Sequence, residues 1–208
     1  MIAIIDYGAG NLASVKKAFD YIGVDSVITD DANVVLNADG VVLPGVGAIS
    51  YAMDCLKSKG MDEVVKTVIS NGKPMLGICL GMQMLFEESE ESFDSNENVK
   101  GLGIIPGVVR KFPSDILGAE NKIPQIGWNR LESVNSKILT EGDFVYFVHS
   151  YYCDPSNAED ISAMTEYGIK YCCAIERGNL FATQFHPEKS GEAGLNILKK
   201  FVRRVEAC

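Results

Sequence analysis

The segment Gly77-Ile78-Cys79-Leu80-Gly81 constrains the fold of this 208-residue chain more than any other feature. An apolar run precedes it and a helical pattern follows it, so Cys79 falls at the junction of a buried strand and a helix. Glycines on both sides permit the tight turn of a nucleophile elbow, with cysteine in the place of serine. The N-terminus of the following helix favours a thiolate. The alternative is a buried structural cysteine, the usual fate of a free cysteine, but the paired glycines favour the elbow.

Apolar runs and amphipathic patterns alternate through the first half of the chain. A buried strand is predicted over residues 1–6, a helix from Leu12 to Ile22, and further strands near 24–29 and 40–43, with helical patterns up to Ser70. This alternation predicts an α/β fold with a doubly wound, mostly parallel sheet and helices on both faces. Gly8 and Gly10 lack the third glycine of a dinucleotide-binding turn, which favours an ordinary strand-to-helix turn.

The second half of the chain has a different pattern, with short β-prone segments separated by proline and glycine. It predicts a mixed or antiparallel extension of the sheet, closed by a helix over residues 192–205. We expect residues 1–208 to form a single domain. Trp128, the only tryptophan, is assigned to the core by default.

The composition narrows the classes of partner and the location. The formal net charge of −9 argues against nucleic acid or an anionic membrane as partner, because both require a basic face. No apolar run approaches the ~20 residues of a membrane span, and no leader precedes the first strand. We therefore expect a cytoplasmic protein.

The six cysteines do not indicate a disulfide framework or a metal site. The sequence has no C-x-x-C pair, and adjacent cysteines in a β-prone run would point to opposite faces of the strand. We predict no metal and no cofactor. The cysteines without a predicted chemical role are Cys55, Cys153, Cys172, Cys173 and Cys208.

His186 and Glu188 supply a candidate general base and its orienting carboxylate. Pro187 pushes the preceding residue into extended backbone, where positions two apart share a face. The carboxylate would fix the tautomer of the imidazole and stabilise the imidazolium. The other histidine, His149, has no carboxylate at this spacing, so we interpret it as structural or as lining the substrate pocket.

A thiolate, an imidazole with a carboxylate and free backbone N–H groups together form an acyl-transfer site. The N–H of Leu80 follows the nucleophile, and the loop Pro44-Gly45-Val46-Gly47 can complete an oxyanion hole. Both segments lie at the carboxyl ends of predicted parallel strands, where ligands of such sheets bind. The substrate is then an amide, an ester or a thioester.

Three segments resemble the motifs of the class I (triad) glutamine amidotransferases: 44–47, 77–83 and 186–188. Within that class, the segments 5–12, 124–129, 146–151 and 188–191 are similar to those of the glutaminase subunits of imidazole glycerol phosphate synthases. Family members often have other residues at Ala48 and Gln125, neither of which has a catalytic role.

The resemblance implies an activity and a role for each matching residue. Glutamine would be hydrolysed to glutamate and ammonia through a thioester on Cys79, with His186 as base and Glu188 as its orienter. Glu91 belongs to an acidic group, residues 87–91, that we predict at a helix C-terminus, where acid is otherwise unfavourable. The implied oxyanion-hole residues are Val46, Gly47 and Leu80, and the implied substrate-binding residues are Gly45, Gln83, Glu91, Ser150 and Tyr151.

The resemblance also implies a partner, since the chain has no second constellation that could consume ammonia. The partner would be the cyclase subunit that makes imidazole glycerol phosphate and AICAR in histidine biosynthesis, bound as a heterodimer with an ammonia channel. The implied contacts are Asn11, Trp128, Tyr146 and Lys189.

Two alternatives remain open from the sequence. The chain could be the glutaminase of another triad amidotransferase, serving anthranilate or pyridoxal phosphate synthesis. It could instead be an inactive scaffold of this fold, although such a protein would have lost a triad member, and all three are present here.

Overall fold

The computed structural model describes residues 1–92, 97–114 and 122–208. Strands and helices alternate up to Cys79, and strands predominate afterwards. The strands are β1 (Ile2–Ile5), β2 (Ser26–Thr29), β3 (Gly40–Gly45), β4 (Met75–Cys79), β5 (Phe86–Ser89), β6 (Val99–Lys100), β7 (Ile105–Lys111), β8 (Gln125–Arg130), β9 (Phe144–His149), β10 (Tyr151–Pro155), β11 (Ile161–Tyr167), β12 (Ile169–Arg177) and β13 (Leu180–Thr183). The α-helices are α1 (Leu12–Tyr21), α2 (Ala32–Asn37), α3 (Ile49–Ser58), α4 (Met61–Ser70), α5 (Leu80–Gln83) and α6 (Gly191–Glu206).

Eleven of the described strands form a large mixed sheet: ten have the order β2-β1-β3-β4-β13-β12-β10-β7-β5-β6, and β11 pairs with β12 off this path. The first five strands in this order run parallel to one another. From β12 onwards most of the pairings are antiparallel. The predicted doubly wound sheet with an antiparallel extension is therefore confirmed.

Strand β13 occupies the position that matters most for the site. It inserts beside β4 in parallel register, with Ala182 opposite Gly77 and Thr183 opposite Ile78. The carboxyl ends of β4 and β13 therefore lie side by side, although more than a hundred residues separate them in the sequence. The residues that follow β13 therefore lie close to Cys79, the residue that ends β4.

Helices cover both faces of the sheet. Successive side chains of β1 point to opposite faces, and all four are buried because each face has its own hydrophobic layer. Helices α2, α3 and α4 cover one face, whereas α1 and α6 cover the other. In the described ranges, no helix is both long and apolar enough to cross a bilayer.

Strands β8 and β9 form a separate two-stranded antiparallel sheet instead of extending the large one. Its outer face exposes large apolar side chains: Ile126 (61%), Trp128 (52%) and Phe144 (57%). The default assignment of Trp128 to the core is therefore wrong. The indole lies on the outward-facing side of β8, because side chains alternate along a strand.

The predicted helix after Cys79 is much shorter than expected. Helix α5 has a single turn, and the chain then enters β5, which pairs with β6 and β7. Phe86 and Ser89 are buried while Glu87 and Glu88 are more exposed, a pattern that departs from strict alternation where the register with β7 shifts between Phe86 and Glu88. The prediction that the acidic residues 87–91 lie at a helix C-terminus is therefore wrong. Their negative charges do not oppose a helix dipole.

Candidate active site

Cys79 adopts a backbone conformation that L-residues rarely occupy. It ends β4 and caps α5 with φ 55° and ψ −110°. Such a conformation costs of order 1–3 kcal/mol and persists only where the surroundings enforce it. Neighbouring strands provide that constraint, since Gly45 of β3 lies opposite Cys79 in the parallel register. The predicted elbow is present, and Cys79 is 6% exposed.

The glycines around the elbow are required by close packing. A Cβ placed on Gly81 would lie 1.9 Å from the carbonyl oxygen of Leu43, and one on Gly77 would lie 3.1 Å from Cβ of Ala182. A Cβ on Gly45 would meet Leu80 at 2.8 Å. Only backbones without side chains can approach this closely, so the glycines let the strand ends converge beneath the sulfur.

His186 and Glu188 form a buried pair next to the elbow. Nδ1 of His186 lies 2.7 Å from Oε1 of Glu188, and both side chains are almost fully buried. His186 is extended as predicted, but Glu188 belongs to a 3₁₀ turn, Pro187–Lys189, instead of an extended segment. The turn still brings the carboxylate back to the ring, so the predicted contact forms with a different backbone.

The charge state of His186 depends on its two neighbours. Burial lowers the pKa of His186, but attraction to Cys79 and Glu188 outweighs burial and raises the pKa to about 9. Nε2 is buried and has no hydrogen-bond partner of its own. A proton leaving the thiol can therefore be held on the imidazole, with the carboxylate behind it.

The elbow and His186 border one cavity of about 390 Å³. Most of the residues predicted from the sequence line it together with them. Those residues are Val46, Gly47, Leu80, Gln83, Glu91, Ser150, Tyr151 and Lys189. Gly45, predicted to bind substrate, is instead buried beneath the elbow against Leu80 and the hydroxyl of Tyr7.

Gln184 is part of the site and was not predicted from the sequence. Its Nε2 lies 3.7 Å from Sγ of Cys79, and its Oε1 accepts a hydrogen bond of 3.0 Å from Nε2 of Gln83. The same Nε2 of Gln83 also donates to the carbonyl of Tyr151 at 3.0 Å. The buried amide of Gln83 is thereby held in place by Gln184 and Tyr151. A lone glutamine at a strand end carries no sequence signal, because these contacts are all non-local.

Glu91 is placed at the cavity wall by helix α3. Its Oε2 accepts a hydrogen bond of 2.9 Å from the backbone N–H of Ile49, the first residue of that helix. Burial raises the pKa of Glu91, while the hydrogen bond from Ile49 opposes the shift. The carboxylate is thus half-buried, oriented and available to a cationic group in the cavity.

Of the four residues predicted to contact a partner, Lys189 lines the cavity. Trp128 and Tyr146 pack edge to face with ring centroids 6.0 Å apart, and Lys189 is exposed beside the cavity. Asn11 is half-buried and immediately precedes α1.

Ser190 connects β9 to the His186 segment and was also missed from the sequence. Its hydroxyl accepts from the N–H of Tyr146 at 2.9 Å and donates to the carbonyl of His186 at 2.6 Å. The N–H of His186 in turn donates to the carbonyl of Tyr146 at 3.0 Å. Strand β9, which carries Tyr146, is therefore hydrogen-bonded directly to the backbone of His186.

This arrangement suits covalent acyl transfer. A thiol in a strained turn and a base held by a carboxylate border one cavity with the first residue of α5 and the loop after β3, as nucleophilic catalysis on a carbonyl requires. Among the residues that the structure describes, no group of three His, Cys, Asp or Glu side chains could hold a metal ion.

Comparisons with known proteins agree with this chemistry. The family described as "Glutamine amidotransferase class-I" matches residues 3–205. The chain is 50% identical to the protein named "Imidazole glycerol phosphate synthase subunit HisH" from Bacillus mycoides, covering 100% of this chain and 96% of that protein. Proteins of the same name from Methanothermobacter thermautotrophicus (50% identity, 100% of both chains) and Chlorobaculum tepidum (48%, covering 97% and 98%) are similarly close.

Solved structures share the fold at much lower sequence identity. One titled "Crystal structure of glutamine amidotransferase" superposes with a TM-score of 0.75 at 16% identity, covering 99% of this chain and 100% of that one. Another, "Structure of PurLQS from Thermotoga maritima", gives a TM-score of 0.70 at 16% identity, covering 98% of each chain.

Proposed function

This chain belongs to the class I glutamine amidotransferase family, and on that premise we propose that it is the glutaminase subunit of an imidazole glycerol phosphate synthase. It hydrolyses glutamine to glutamate and ammonia and passes the ammonia to a cyclase subunit in histidine biosynthesis. The observation that carries the proposal is that Cys79 and the His186–Glu188 pair meet at one cavity.

The reaction begins with attack of the Cys79 sulfur on the carboxamide carbon of glutamine. His186 takes the thiol proton and then gives it to the leaving nitrogen, so that ammonia departs and a thioester remains. A water molecule, deprotonated by His186, attacks the thioester and releases glutamate and the thiol. Glu188 keeps Nδ1–H of His186 oriented, which leaves Nε2 to exchange the proton.

Negative charge on the attacked oxygen would be stabilised by backbone N–H groups. Leu80 opens α5 directly after the nucleophile, and Val46 and Gly47 line the cavity from the end of β3. The N–H of Leu80 and one from Val46 or Gly47 are the proposed oxyanion-hole donors. Gly47 has φ 92°, so a residue with a side chain would strain this loop.

The amino-acid end of glutamine would bind on the other side of the cavity. Glu91 offers an oriented carboxylate for the α-ammonium group, and the backbone of Ser150 and Tyr151 borders the space for the α-carboxylate. Gln83 acts from beneath by holding the Tyr151 carbonyl. Gly45 contributes by letting the β3 loop approach the elbow.

The proposed docking surface for the cyclase consists of Asn11, Tyr146, Lys189 and the exposed side chains of the β8–β9 sheet. Ile126, Trp128 and Phe144 are exposed on one face of that sheet, and exposed apolar side chains grouped in this way mark an interaction site. A stable heterodimer would bury more than ~1,000 Å² of surface. Because β9 is hydrogen-bonded to the His186 segment, docking there can alter the position of the base.

Glutamate release measured under three conditions tests the proposal. The isolated chain, its complex with the cyclase subunit, and the complex with the ribonucleotide substrate of the cyclase should show increasing rates, by orders of magnitude in the last step. Equal rates in all three would contradict the coupling. Failure of the two chains to co-elute, or ammonia transfer restored only with the anthranilate or pyridoxal phosphate partner, would contradict the assignment of the partner.

A further inference from the structure

His149 lies in a chain of hydrogen bonds that ends on a backbone carbonyl at both ends. This hydrogen-bond chain starts at the wall of the active-site cavity, passes through Tyr171 on β12 and two residues of β8, and ends at the carbonyl of Glu166 on β11. Its links are His149 Nδ1 to Tyr151 O (2.8 Å), His149 Nε2 to Tyr171 Oη (3.1 Å), Tyr171 Oη to Gln125 Oε1 (2.7 Å), Gln125 Nε2 to Asn129 Oδ1 (3.1 Å) and Asn129 Nδ2 to Glu166 O (2.7 Å).

The donor and the acceptor of every hydrogen bond in this chain follow from its end at the carbonyl of Glu166. A carbonyl only accepts, so the amide of Asn129 must present its NH₂ to Glu166 and its oxygen to Gln125. Gln125 must then present its NH₂ to that oxygen and its own oxygen to Tyr171. Tyr171 has one proton, and it is used on Gln125. The oxygen of Tyr171 can therefore only accept from Nε2 of His149.

The other end of the hydrogen-bond chain requires a second proton on the ring of His149. Nδ1 of His149 also faces a carbonyl, that of Tyr151, and must donate to it. All five links are satisfied together only when both ring nitrogens carry protons, which is the imidazolium form. A neutral ring leaves one link without a proton, either at Nε2 or at the oxygen of Gln125.

Burial opposes the form that the hydrogen bonds require. Burial lowers the pKa of His149 to about 4, the hydrogen bond to the Tyr151 carbonyl opposes that shift, and the nearby His186 lowers the pKa further. Without a ligand, the ring is therefore neutral near pH 7 and one hydrogen bond of the chain is missing. The missing hydrogen bond costs free energy, which a second proton would recover only where a nearby negative charge offsets the cost of burying the cation.

The groups around the ring of His149 determine what could stabilise a positive charge on it. His149 lines the active-site cavity, so a ligand there lies close to it. Phe112 and Phe147 pack against the ring and contribute no charge. The titratable groups that hydrogen-bond to the ring or share its cavity are Tyr171 on β12, Tyr151 on β10, Cys79 on β4, Glu91 after β5, and His186 and Lys189 beyond β13.

We propose that His149 is a positioning residue for the substrate α-carboxylate, and that in mildly acidic solution, near pH ~5.5, it takes up a second proton from solvent when that carboxylate enters the cavity. The inference rests on the proposed function, which puts the carboxylate of glutamine next to Ser150 and Tyr151. The carboxylate supplies the negative charge, and the polarised chain through Tyr171 and Gln125 supplies the acceptor for Nε2–H. Glutamine binding is thereby coupled to proton uptake and to a rigid contact with β8.

The expected effect is a rise in the pKa of His149 when glutamine binds. An opposite charge within ~4–6 Å shifts a pKa by about 1–3 units. A rise of about two units from 4 would tighten glutamine binding about fourfold between pH 7.5 and pH 5.5. Protonation of Glu91 at the acid end acts in the opposite direction, so the comparison must be made against a variant of His149.

The sequence contains only two histidines, which makes the measurement direct. In the Cys79→Ala protein labelled with ¹⁵N, the imidazole resonances are titrated with and without saturating glutamine, and the His186→Gln change assigns them. Without ligand, we expect the neutral ring of His149 to be the Nδ1–H tautomer. With glutamine bound, the doubly protonated ring should persist to a higher pH than it does without glutamine. Glutamine that binds without shifting the pKa of His149 overturns this inference alone, whereas absence of glutamine binding overturns the proposed function as well.

Three variants separate positioning from mere packing. His149→Asn keeps an N–H for the Tyr151 carbonyl but cannot titrate, so the pH dependence of the glutamine Kd should lose its His149 component. Tyr171→Phe keeps the ring and removes the acceptor for Nε2–H, so the glutamine-induced pKa rise should shrink. Tyr152→Phe removes a hydroxyl from an adjacent ring outside the chain and should leave that rise unchanged. An equal glutamine-induced rise in the pKa of His149 in the two tyrosine variants would contradict the role of the hydrogen-bond chain.

Discussion

Oε1 of Glu188 lies 2.7 Å from Nδ1 of His186, although the two residues are only two positions apart and separated by a proline. The 3₁₀ turn at Pro187–Lys189 folds the carboxylate back onto the ring. The contact determines which nitrogen of the imidazole is left for proton transfer and, with Cys79, raises the pKa of His186 against the effect of burial.

Cys79→Ser should lower glutaminase turnover by about 10³-fold or more, because the sulfur forms the thioester. Glutamine binding and the circular dichroism spectrum should remain close to those of the parent, since serine is similar in size and inherits the same backbone. Cys208→Ser, an exposed cysteine at the chain terminus, is the matched control and should keep full activity. Turnover of the Cys79 variant within a few fold of the parent would refute the assigned nucleophile.

His186→Ala should reduce kcat by about 10²-fold or more, as expected for loss of a general base. Glu188→Gln should reduce it less, because the carboxylate orients and stabilises the imidazole without moving the proton itself. The acid limb of the pH–rate profile should shift to lower pH in Glu188→Gln, since that carboxylate helps to raise the pKa of His186.

Glu176→Gln is the control for that comparison. Glu176 is another carboxylate that precedes His186 in the sequence, but it accepts hydrogen bonds from Ser136 and Lys137 instead of from His186. We expect its kcat and pH–rate profile to match those of the parent. A larger loss in Glu176→Gln than in Glu188→Gln would reverse the assignment.

The free energy of unfolding should decrease between pH 6.5 and pH 8 through His186. The ordinary pKa of a histidine is 6.5, and that of His186 rises to about 9 in the fold, so the folded state holds a proton that the unfolded state releases. This stabilisation is complete below about pH 6.5 and is lost as the pH rises through about 9. Urea unfolding at several pH values measures it, and His186→Gln should flatten the slope in this window.

The upper limit of that window is set by buried thiols. Burial raises the pKa of Cys172 to about 12 and the pKa of Cys153 and Cys173 well above the usual value, so all three destabilise the fold once unfolded thiols ionise near ~8.5. A slope below pH 8 that is the same in the parent and His186→Gln would contradict the raised pKa of His186.

Trp128→Ala should weaken binding of the cyclase subunit by roughly 10- to 100-fold, as expected for an aromatic anchor at an interface. The side chain is half exposed and packs against Tyr146 and the start of α6, so removing it should leave the stability of the isolated chain nearly unchanged. Tyr21→Ala is the matched control, because Tyr21 is an exposed aromatic residue at the end of α1. Equal affinities of the two variants for the cyclase would argue against docking on the β8–β9 sheet.

Ser190→Ala should reduce activation of the glutaminase by the cyclase more than it reduces glutamine binding. The hydroxyl bridges the N–H of Tyr146 and the carbonyl of His186, and its removal loosens the connection between β9 and the base. The ratio of glutamate release with and without the cyclase measures the effect. Ser70→Ala, at the end of α4, serves as control. An unchanged ratio in Ser190→Ala would place the coupling elsewhere.

The sequence predicted those parts of the site that depend on local geometry. The elbow required only glycines around Cys79 at a strand-to-helix junction, and the His186–Glu188 contact required only two residues of spacing around a proline. Boundaries failed where pairing with distant strands overrode the local pattern. The segment after Gln83 had helical spacing, but pairing with β7 and β6 made it β5.

The sequence by itself determined the alternation of strands and helices, the position of the strained thiol and the identity of the base, because hydrophobic periodicity, glycine and proline act over a few residues. Only the tertiary structure decided that β13 inserts beside β4, which brings His186 and Gln184 to Cys79. It also decided that Trp128 faces outward and that the chain from His149 to Glu166 requires an extra proton. These features depend on which distant strands pair and on the direction of each hydrogen bond, and neither is encoded in the spacing of neighbouring residues.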